Sequence, residues 1–140
     1  MITRLILPPP LRAQLLAAAH AAAPRECCGL VAGQVTDTVA RARALHPARN
    51  RAARADRFDI DPQDHFDTLR RARGAGQDII GCYHSHPGGR AEPSAADLAG
   101  AGEEDFLWLI AADDALAAFV YFGGGFSRLG VGADLVTSSG

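Results

Sequence analysis

The stretch G-C-Y-H-S-H-P-G-G-R-A-E-P-S-A-A-D, residues 81–97, contains the end of a strand, a tight loop and the first turn of a helix. The apolar run that leads into it predicts a buried strand over 78–86. Two glycines and two prolines over 87–93 predict a loop, and Ser94 is a typical N-cap of the helix that follows. Strand, loop and helix in this order indicate a domain of mixed α and β structure.

His84 and His86 are two residues apart in the predicted strand, so their side chains share one face about 7 Å apart along the backbone. Imidazole nitrogen is a good zinc ligand, and the two rings can converge on one ion. Asp97, in the first turn of the next helix, can fold back to supply an oxygen ligand. Two histidines and one carboxylate leave a fourth position for water, which is typical of catalytic zinc.

A purely structural interpretation competes for part of this pattern. Ser94 followed by Asp97 three residues later resembles a capping box, and a helix cap explains both residues without a metal. The two interpretations are compatible, because one carboxylate can serve a cap and a ligand. A general base is needed beside a catalytic water, and position alone leaves four candidates, which are Glu26, Glu92, Glu103 and Glu104.

Outside this stretch, helices alternate with strands early in the chain and strands follow one another late, which predicts an α+β or α/β domain with a mixed sheet. We expect one domain over 1–140, with residues 137–140 loose. The first predicted elements are a strand at 2–7 and a helix from Pro8 to Pro24, whose apolar face carries Leu11, Leu15, Ala18 and Ala22. A hairpin follows, with strands at 28–32 and 35–45 joined by a turn at Gly33-Gln34.

An exposed loop is predicted at 46–57 and a brief strand at Phe58 and Ile60. The next helix runs from Asp61 to Gly74, with Phe66 and Leu69 on its inner face. Strands at 106–112, 117–122 and 126–136 complete the predicted elements.

The composition excludes several classes of function. The 140 residues carry a net charge of −2, so no basic field attracts nucleic acid. The absence of lysine excludes Schiff-base chemistry and phosphate binding by a P-loop. No apolar run reaches the roughly 20 residues that cross a bilayer. Three cysteines give no disulfide framework, so we expect a cytoplasmic protein.

The central stretch resembles the JAMM motif of the MPN+ metallopeptidases. That motif is a glutamate, a variable gap, then H-[ST]-H-P, seven residues counted from that proline, and S-x-x-D. Here His84-Ser85-His86-Pro87 is followed by Ser94-Ala95-Ala96-Asp97 at the family's spacing. Upstream, Pro24-Arg25-Glu26-Cys27-Cys28-Gly29-Leu30 resembles the family's P-x-E-x-C-G-L segment.

This resemblance implies a fold and a role for each matching residue. The fold is a mixed, curved sheet flanked by helices, sandwich-like, with a core similar to that of cytidine deaminases. One Zn²⁺ per chain is implied, with His84, His86 and Asp97 as metal ligands. Glu26 is implied as general base and Ser94 as the donor that stabilises the oxyanion.

The short chain resembles the compact prokaryotic members, several of which act on small ubiquitin-like sulfur carriers. The segments Arg49-Asn50-Arg51 and Arg57-Phe58-Asp59-Ile60-Asp61-Pro62 resemble that subgroup. The implied reaction is hydrolysis of a peptide or isopeptide bond next to a Gly-Gly tail, with release of an amino acid such as cysteine. The implied partner is the carrier protein, and no nucleic-acid or membrane partner is expected. A homodimer is left as an open alternative.

Other classes explain parts of the same sequence. An inactive MPN scaffold, or a binding module with a structural zinc, would keep the fold without turnover. A cysteine hydrolase would use Cys82, which shares the strand face of His84. A zinc deaminase needs a C-x-x-C that the sequence lacks. A metallo-β-lactamase-like site would want an aspartate and a histidine where Pro87 and Gly88 stand.

Overall fold

The architecture is α+β, as the sequence predicts. A computed structural model describes residues 1–52 and 58–133. Among these residues the elements are β1 (Arg4–Ile6), α1 (Pro9–Ala22), β2 (Cys28–Thr36), β3 (Val39–Ala48), α2 (Pro62–Gly74), β4 (Asp78–Ser85), α3 (Ala95–Gly100), β5 (Phe106–Ala112), β6 (Ala115–Phe122) and β7 (Gly125–Gly132). None of the described helices combines the length and apolarity that a membrane span requires.

The seven strands form one mixed sheet that closes on itself as a barrel. Their order is β1-β3-β2-β4-β5-β6-β7, and β7 returns to β1. Strand β1 pairs in parallel with both β3 and β7, and β4 pairs in parallel with β5. The other pairs are antiparallel. The predicted mixed sheet is therefore confirmed, whereas its closure into a barrel is a feature that the sequence pattern does not reveal.

The two faces of the strands bury different apolar clusters, because successive side chains point to opposite sides of a sheet. One cluster packs with α1 and includes Leu15, Val31 and Tyr83. The other includes Leu30, Cys82 and Trp108. His84 follows Cys82 by two residues in β4 and therefore lies on the face of the second cluster.

The hairpin turn predicted at Gly33-Gln34 is wrong. Strand β2 continues to Thr36, and the chain turns at Asp37, whose φ is 57°. Gly33 instead lies at a register shift between β2 and β3, where an added Cβ would overlap the Arg41 carbonyl oxygen. The glycine marks a close approach of two backbones within the sheet rather than a turn.

Three other expectations need correction. Strand β3 extends to Ala48, so the loop predicted from residue 46 starts later. Strand β4 ends at Ser85, one residue before the predicted end. Phe66 does not face the core: it is 55% exposed, and Thr68 and Ala72 are the buried residues of α2. Helix periodicity fixes the spacing of a face but not which face is buried. Arg57 and residues 137–140 lie outside the described residues.

Candidate metal centre

Both histidines lie at the carboxyl end of β4, which runs between β2 and β5. His84 is fully buried within the strand, and His86 follows the last strand residue. Their Nε2 atoms are 3.0 Å apart. The alternation of the strand thus brings the two imidazoles to one point, as the H-x-H spacing predicts.

Asp97 reaches the same point from the first turn of α3. Its Oδ2 lies 3.1 Å from Nε2 of His84 and 3.2 Å from Nε2 of His86. The same oxygen accepts a hydrogen bond from the Ser94 backbone N–H at 2.9 Å, and the Asp97 N–H donates to Ser94 Oγ at 3.0 Å. The capping box is therefore present, and its carboxylate also faces both histidines.

Glu26 joins the group from the residues that lead into the neighbouring strand β2. In the antiparallel register of β2 and β4, Cys28 pairs with His84, so the chain two residues earlier runs beside His86. The Glu26 side chain is buried, and one carboxylate oxygen lies within 4.8 Å of a ring nitrogen of His84 and of His86. Glu26 is thus the predicted base candidate that reaches the histidines.

The other glutamates have different surroundings. Glu92 is paired with Arg90 on the surface at 3.4 Å, and Glu104 accepts a hydrogen bond from the Gly123 N–H at 2.8 Å. Glu103 lines a cavity of about 370 Å³ that adjoins Asp97. The floor of this cavity is apolar and includes Leu30, Cys82 and Trp108. It therefore offers space for a bound group beside Asp97.

The donor set fits a tetrahedral metal ion. His86 Nδ1 lies 2.9 Å from the Arg90 carbonyl oxygen, which can only accept, so Nδ1 carries the proton and Nε2 presents a lone pair. The two Nε2 atoms and the Asp97 oxygen form a triangle with sides of 3.0, 3.1 and 3.2 Å. Tetrahedral zinc with ligands at about 2.0–2.1 Å separates its ligand atoms by roughly 3.3 Å.

The pKa shifts describe a negative charge held among buried rings. Burial by itself raises the pKa of Asp97. The hydrogen bonds to His84 and His86, with the charge interaction with His84 and the hydrogen bond from the Ser94 N–H, bring this pKa well below its ordinary value. Burial lowers the pKa of His84, against the opposing effect of Asp97. An ionised carboxylate beside the neutral ring of His84 is a protonation state that metal binding requires. Burial lowers the pKa of His86, but Asp97 and the Arg90 carbonyl raise it overall, so metal binding competes with a proton at this ring.

Two aromatic rings enclose His84, and the sequence analysis did not identify either. Phe58 stacks on the His84 ring at a centroid distance of 4.2 Å and an interplanar angle of 24°. Trp108 contacts it edge-on at 5.7 Å. Both residues come from distant parts of the chain. The sequence signal for Phe58 is only the aromatic residue that follows the arginine-rich loop, so its contact depends on the tertiary fold.

The alternative of a cysteine nucleophile at Cys82 finds no support in the geometry. The Cys82 side chain is buried, and burial raises the pKa of its thiol far above neutral pH. Burial likewise raises the pKa of the Cys28 thiol to about 12. Reactive cysteines have exposed thiols with a lowered pKa, so these two residues are packing residues.

Comparison with known proteins places the sequence in a family. Residues 8–121 match the family described as prokaryotic homologs of the JAB domain. A desampylase of Haloferax volcanii is 35% identical over 114 residues, covering 79% of this chain and 80% of that protein. A desampylase of Pyrococcus furiosus is 31% identical over 85 residues, covering 61% of this chain and 58% of that protein.

A solution structure of a protein from Desulfitobacterium hafniense has the same fold. It superposes with a TM-score of 0.85 over 93% of this chain and 92% of that chain, at 24% sequence identity. At this level of identity the agreement concerns the fold. The fold is thus shared by proteins whose sequences have diverged widely.

Proposed function

The chain belongs to the prokaryotic homologs of the JAB domain, and from this premise we propose that it is a zinc-dependent metallopeptidase of the JAMM type. It hydrolyses a peptide or isopeptide bond. The observation that carries the proposal is the triangle formed by His84, His86 and Asp97, with the Glu26 carboxylate beside it.

His84, His86 and Asp97 are the residues that would hold one Zn²⁺ per chain. When bound there, zinc supplies a water of lowered pKa and polarises the carbonyl of the scissile bond. Asp97 contributes one negative charge, and the capping box fixes the direction of its carboxylate. The Arg90 carbonyl holds the His86 ring in the tautomer that presents Nε2.

Glu26 and Ser94 would carry out the proton transfer and the charge stabilisation. The Glu26 carboxylate takes the proton from the attacking water and returns it to the leaving amine. Ser94 Oγ already accepts the Asp97 N–H, so its own proton is the one that it donates to the oxyanion. Glu26 lies within 4.8 Å of a ring nitrogen of each histidine, and Ser94 caps the helix that carries Asp97.

The substrate that we propose is a ubiquitin-like or sulfur-carrier protein cleaved next to its Gly-Gly tail, with release of a linked protein or of an amino acid such as cysteine. The relatives named desampylases support an isopeptide bond as the target. The cavity beside Asp97 would receive the groups that flank this bond.

The test is cleavage of a ubiquitin-like carrier extended beyond Gly-Gly by one residue, or joined to a lysine side chain, followed by intact-protein mass. Wild type with zinc should cleave after the second glycine. Glu26→Gln should abolish turnover and keep one zinc per chain, because it removes the base and leaves the three ligands. Glu92→Gln is the matched control and should behave as wild type, because Glu92 lies on the surface beside Arg90.

Three outcomes would overturn parts of the proposal. Loss of zinc in Glu26→Gln would make Glu26 a fourth protein ligand, which is the arrangement of a structural site. Full zinc occupancy with no cleavage of any carrier tested would favour the inactive scaffold or binding module. Equal turnover in wild type and Glu26→Gln would remove Glu26 as the base.

A further inference from the structure

The side chain of Asn50 makes hydrogen bonds in two directions. Its Oδ1 accepts from the backbone N–H of Ala52 and of Asp59, both at 2.9 Å. Its Nδ2 donates to the backbone carbonyl of Glu26 at 2.9 Å. One amide group thus connects the segment that follows β3 to the residue proposed as the base.

The Glu26 backbone is fixed from the opposite side by Ser85. The Cys27 N–H donates to Ser85 Oγ at 2.8 Å, and the Ser85 N–H donates to the Cys27 carbonyl at 3.2 Å. Ser85 lies between the two histidines in the chain. The peptide that carries the Glu26 side chain is therefore anchored to β4 at Cys27 and to Asn50 at its own carbonyl.

The other direction leads to His84. The bond from the Asp59 N–H to Asn50, together with the bond from the Arg51 N–H to the Asp59 carbonyl at 2.7 Å, fixes the chain next to Phe58. Phe58 is the residue that stacks on His84. Asn50 thus bonds to Asp59, the neighbour in sequence of the residue that stacks on His84. It also bonds to the backbone carbonyl of Glu26, the proposed base.

We propose that Asn50 is a positioning residue that fixes the position of the Glu26 carboxylate relative to the His84 ring. The inference rests on the proposed function for its effect on turnover. Its structural part, that the Asn50 amide holds the Glu26 peptide, stands apart from any activity. A 1 Å displacement of a reacting group can lower a rate by about 10²-fold, so the placement of the base is the quantity at stake.

The side-chain amide is suited to this role because it combines a donor and an acceptor. Asn50→Asp keeps the acceptor for Ala52 and Asp59 and loses the donor to Glu26. It also places a carboxylate oxygen against the Glu26 carbonyl oxygen, which repels the peptide. Asn50→Ala loses both functions. Comparing the two variants therefore separates the effect of the bond that places Glu26 from the effect of the bonds that fix the chain beside Phe58.

We would measure kcat and KM, zinc content, amide hydrogen exchange of the peptide that contains residues 26–28, and acrylamide quenching of Trp108. Trp108 is the single tryptophan, is buried, and contacts Phe58 at a centroid distance of 5.9 Å. For Asn50→Asp we expect kcat to fall by about tenfold or more at similar KM and zinc content. Exchange at 26–28 should rise, with quenching of Trp108 unchanged. For Asn50→Ala we expect increased quenching as well.

Gln14→Glu is the matched control. Gln14 Nε2 donates to the Leu45 carbonyl at 3.2 Å, so this variant removes the same kind of bond from a strand outside the site. It should leave kcat and the exchange at 26–28 unchanged. Wild-type kcat and wild-type exchange in Asn50→Asp, with Glu26→Gln inactive, would overturn the proposal. If the wild-type protein cleaves nothing, the proposed function fails, and exchange at 26–28 alone decides whether Asn50 holds the Glu26 peptide.

Discussion

Helices α2 and α3 begin with the same local chemistry and use it differently. Each has a capping side chain followed three residues later by an aspartate, Asp61 with Asp64 in α2 and Ser94 with Asp97 in α3. Asp61 accepts from the Asp64 N–H at 3.2 Å, and Ser94 accepts from the Asp97 N–H at 3.0 Å. Up to this point the two helix starts are equivalent.

The difference lies in what each second aspartate meets. Asp64 faces the exposed guanidinium of Arg49, with contacts of 3.0 and 3.1 Å. Asp97 is 5% exposed and faces two imidazoles. A cap pattern thus fixes a helix start, and the neighbouring element decides whether its acid becomes a surface ion pair or a metal-ligand candidate.

The largest contrast should come from one substitution made in both helices. Asp97→Asn keeps an oxygen for the Ser94 N–H but removes the charge between His84 and His86. We expect its zinc affinity to fall more than 100-fold, since even partners behind the ligands are worth about 10–100-fold. Asp64→Asn should bind zinc as wild type does. Competition with a chromophoric chelator measures both, and equal affinities would leave Asp97 as a cap only.

Ser94→Gly should affect the rate more than the stability. Glycine is an adequate N-cap, so the free energy of unfolding should change by only a few tenths of a kcal/mol. Turnover should fall by about 10²–10³, the usual effect of removing one oxyanion donor. Steady-state kinetics and thermal unfolding on the same sample separate the two effects. Unchanged turnover would restrict Ser94 to the capping box.

Asp61→Ala should have the opposite profile. Loss of this cap should lower the free energy of unfolding by about 1 kcal/mol, with a fall in Tm of a few degrees. Zinc content should not change, because α2 supplies no residue to the metal-binding triangle. Calorimetry and elemental analysis measure these quantities. Loss of zinc in this variant would show that the two helix starts are coupled.

The smallest effect should be the pH dependence of the Asp64 ion pair. The hydrogen bond from the Arg49 side chain, followed by that from the Arg49 N–H, lowers the pKa of Asp64 below its ordinary value of 3.8. A lowered folded-state pKa stabilises the protein above pH 4, and this contribution is lost as the pH falls through the folded-state pKa. Both groups are on the surface, so the difference in Tm between wild type and Asp64→Asn should be small at pH 7. It should shrink as the pH falls below 4 and vanish once the pH lies below the folded-state pKa of Asp64. A difference that grows toward pH 3 would contradict this.

Most of the local structure that positions the site was predictable from the sequence. The apolar run, the glycines and prolines after it and the cap at Ser94 predicted a strand, a loop and a helix. The H-x-H spacing then predicted that these elements bring His84, His86 and Asp97 together. The placement of Glu26 followed from its match to the family motif. Spacing alone left four glutamates, because only the pairing of β2 with β4 shows which one lies beside His86.

What the sequence did not predict depends on tertiary pairing. Gly33 has the composition of a turn residue, yet its place against Arg41 within the sheet depends on the register of two strands. Phe58 and Asn50 have no periodic pattern around them, and their contacts with His84 and Glu26 join segments more than 20 residues apart. The choice of Phe66 as an inner residue was wrong because hydrophobicity alone does not say which face of α2 meets the sheet.

The three residues of β1, Arg4–Ile6, have a consequence for the order of folding events on the ribosome. They are synthesised before the other strands, but one of their two parallel partners is β7, Gly125–Gly132. The barrel therefore cannot close until β7 has left the exit tunnel. Until then β1 has only β3 as a partner, and the edges of the sheet stay available to other nascent chains.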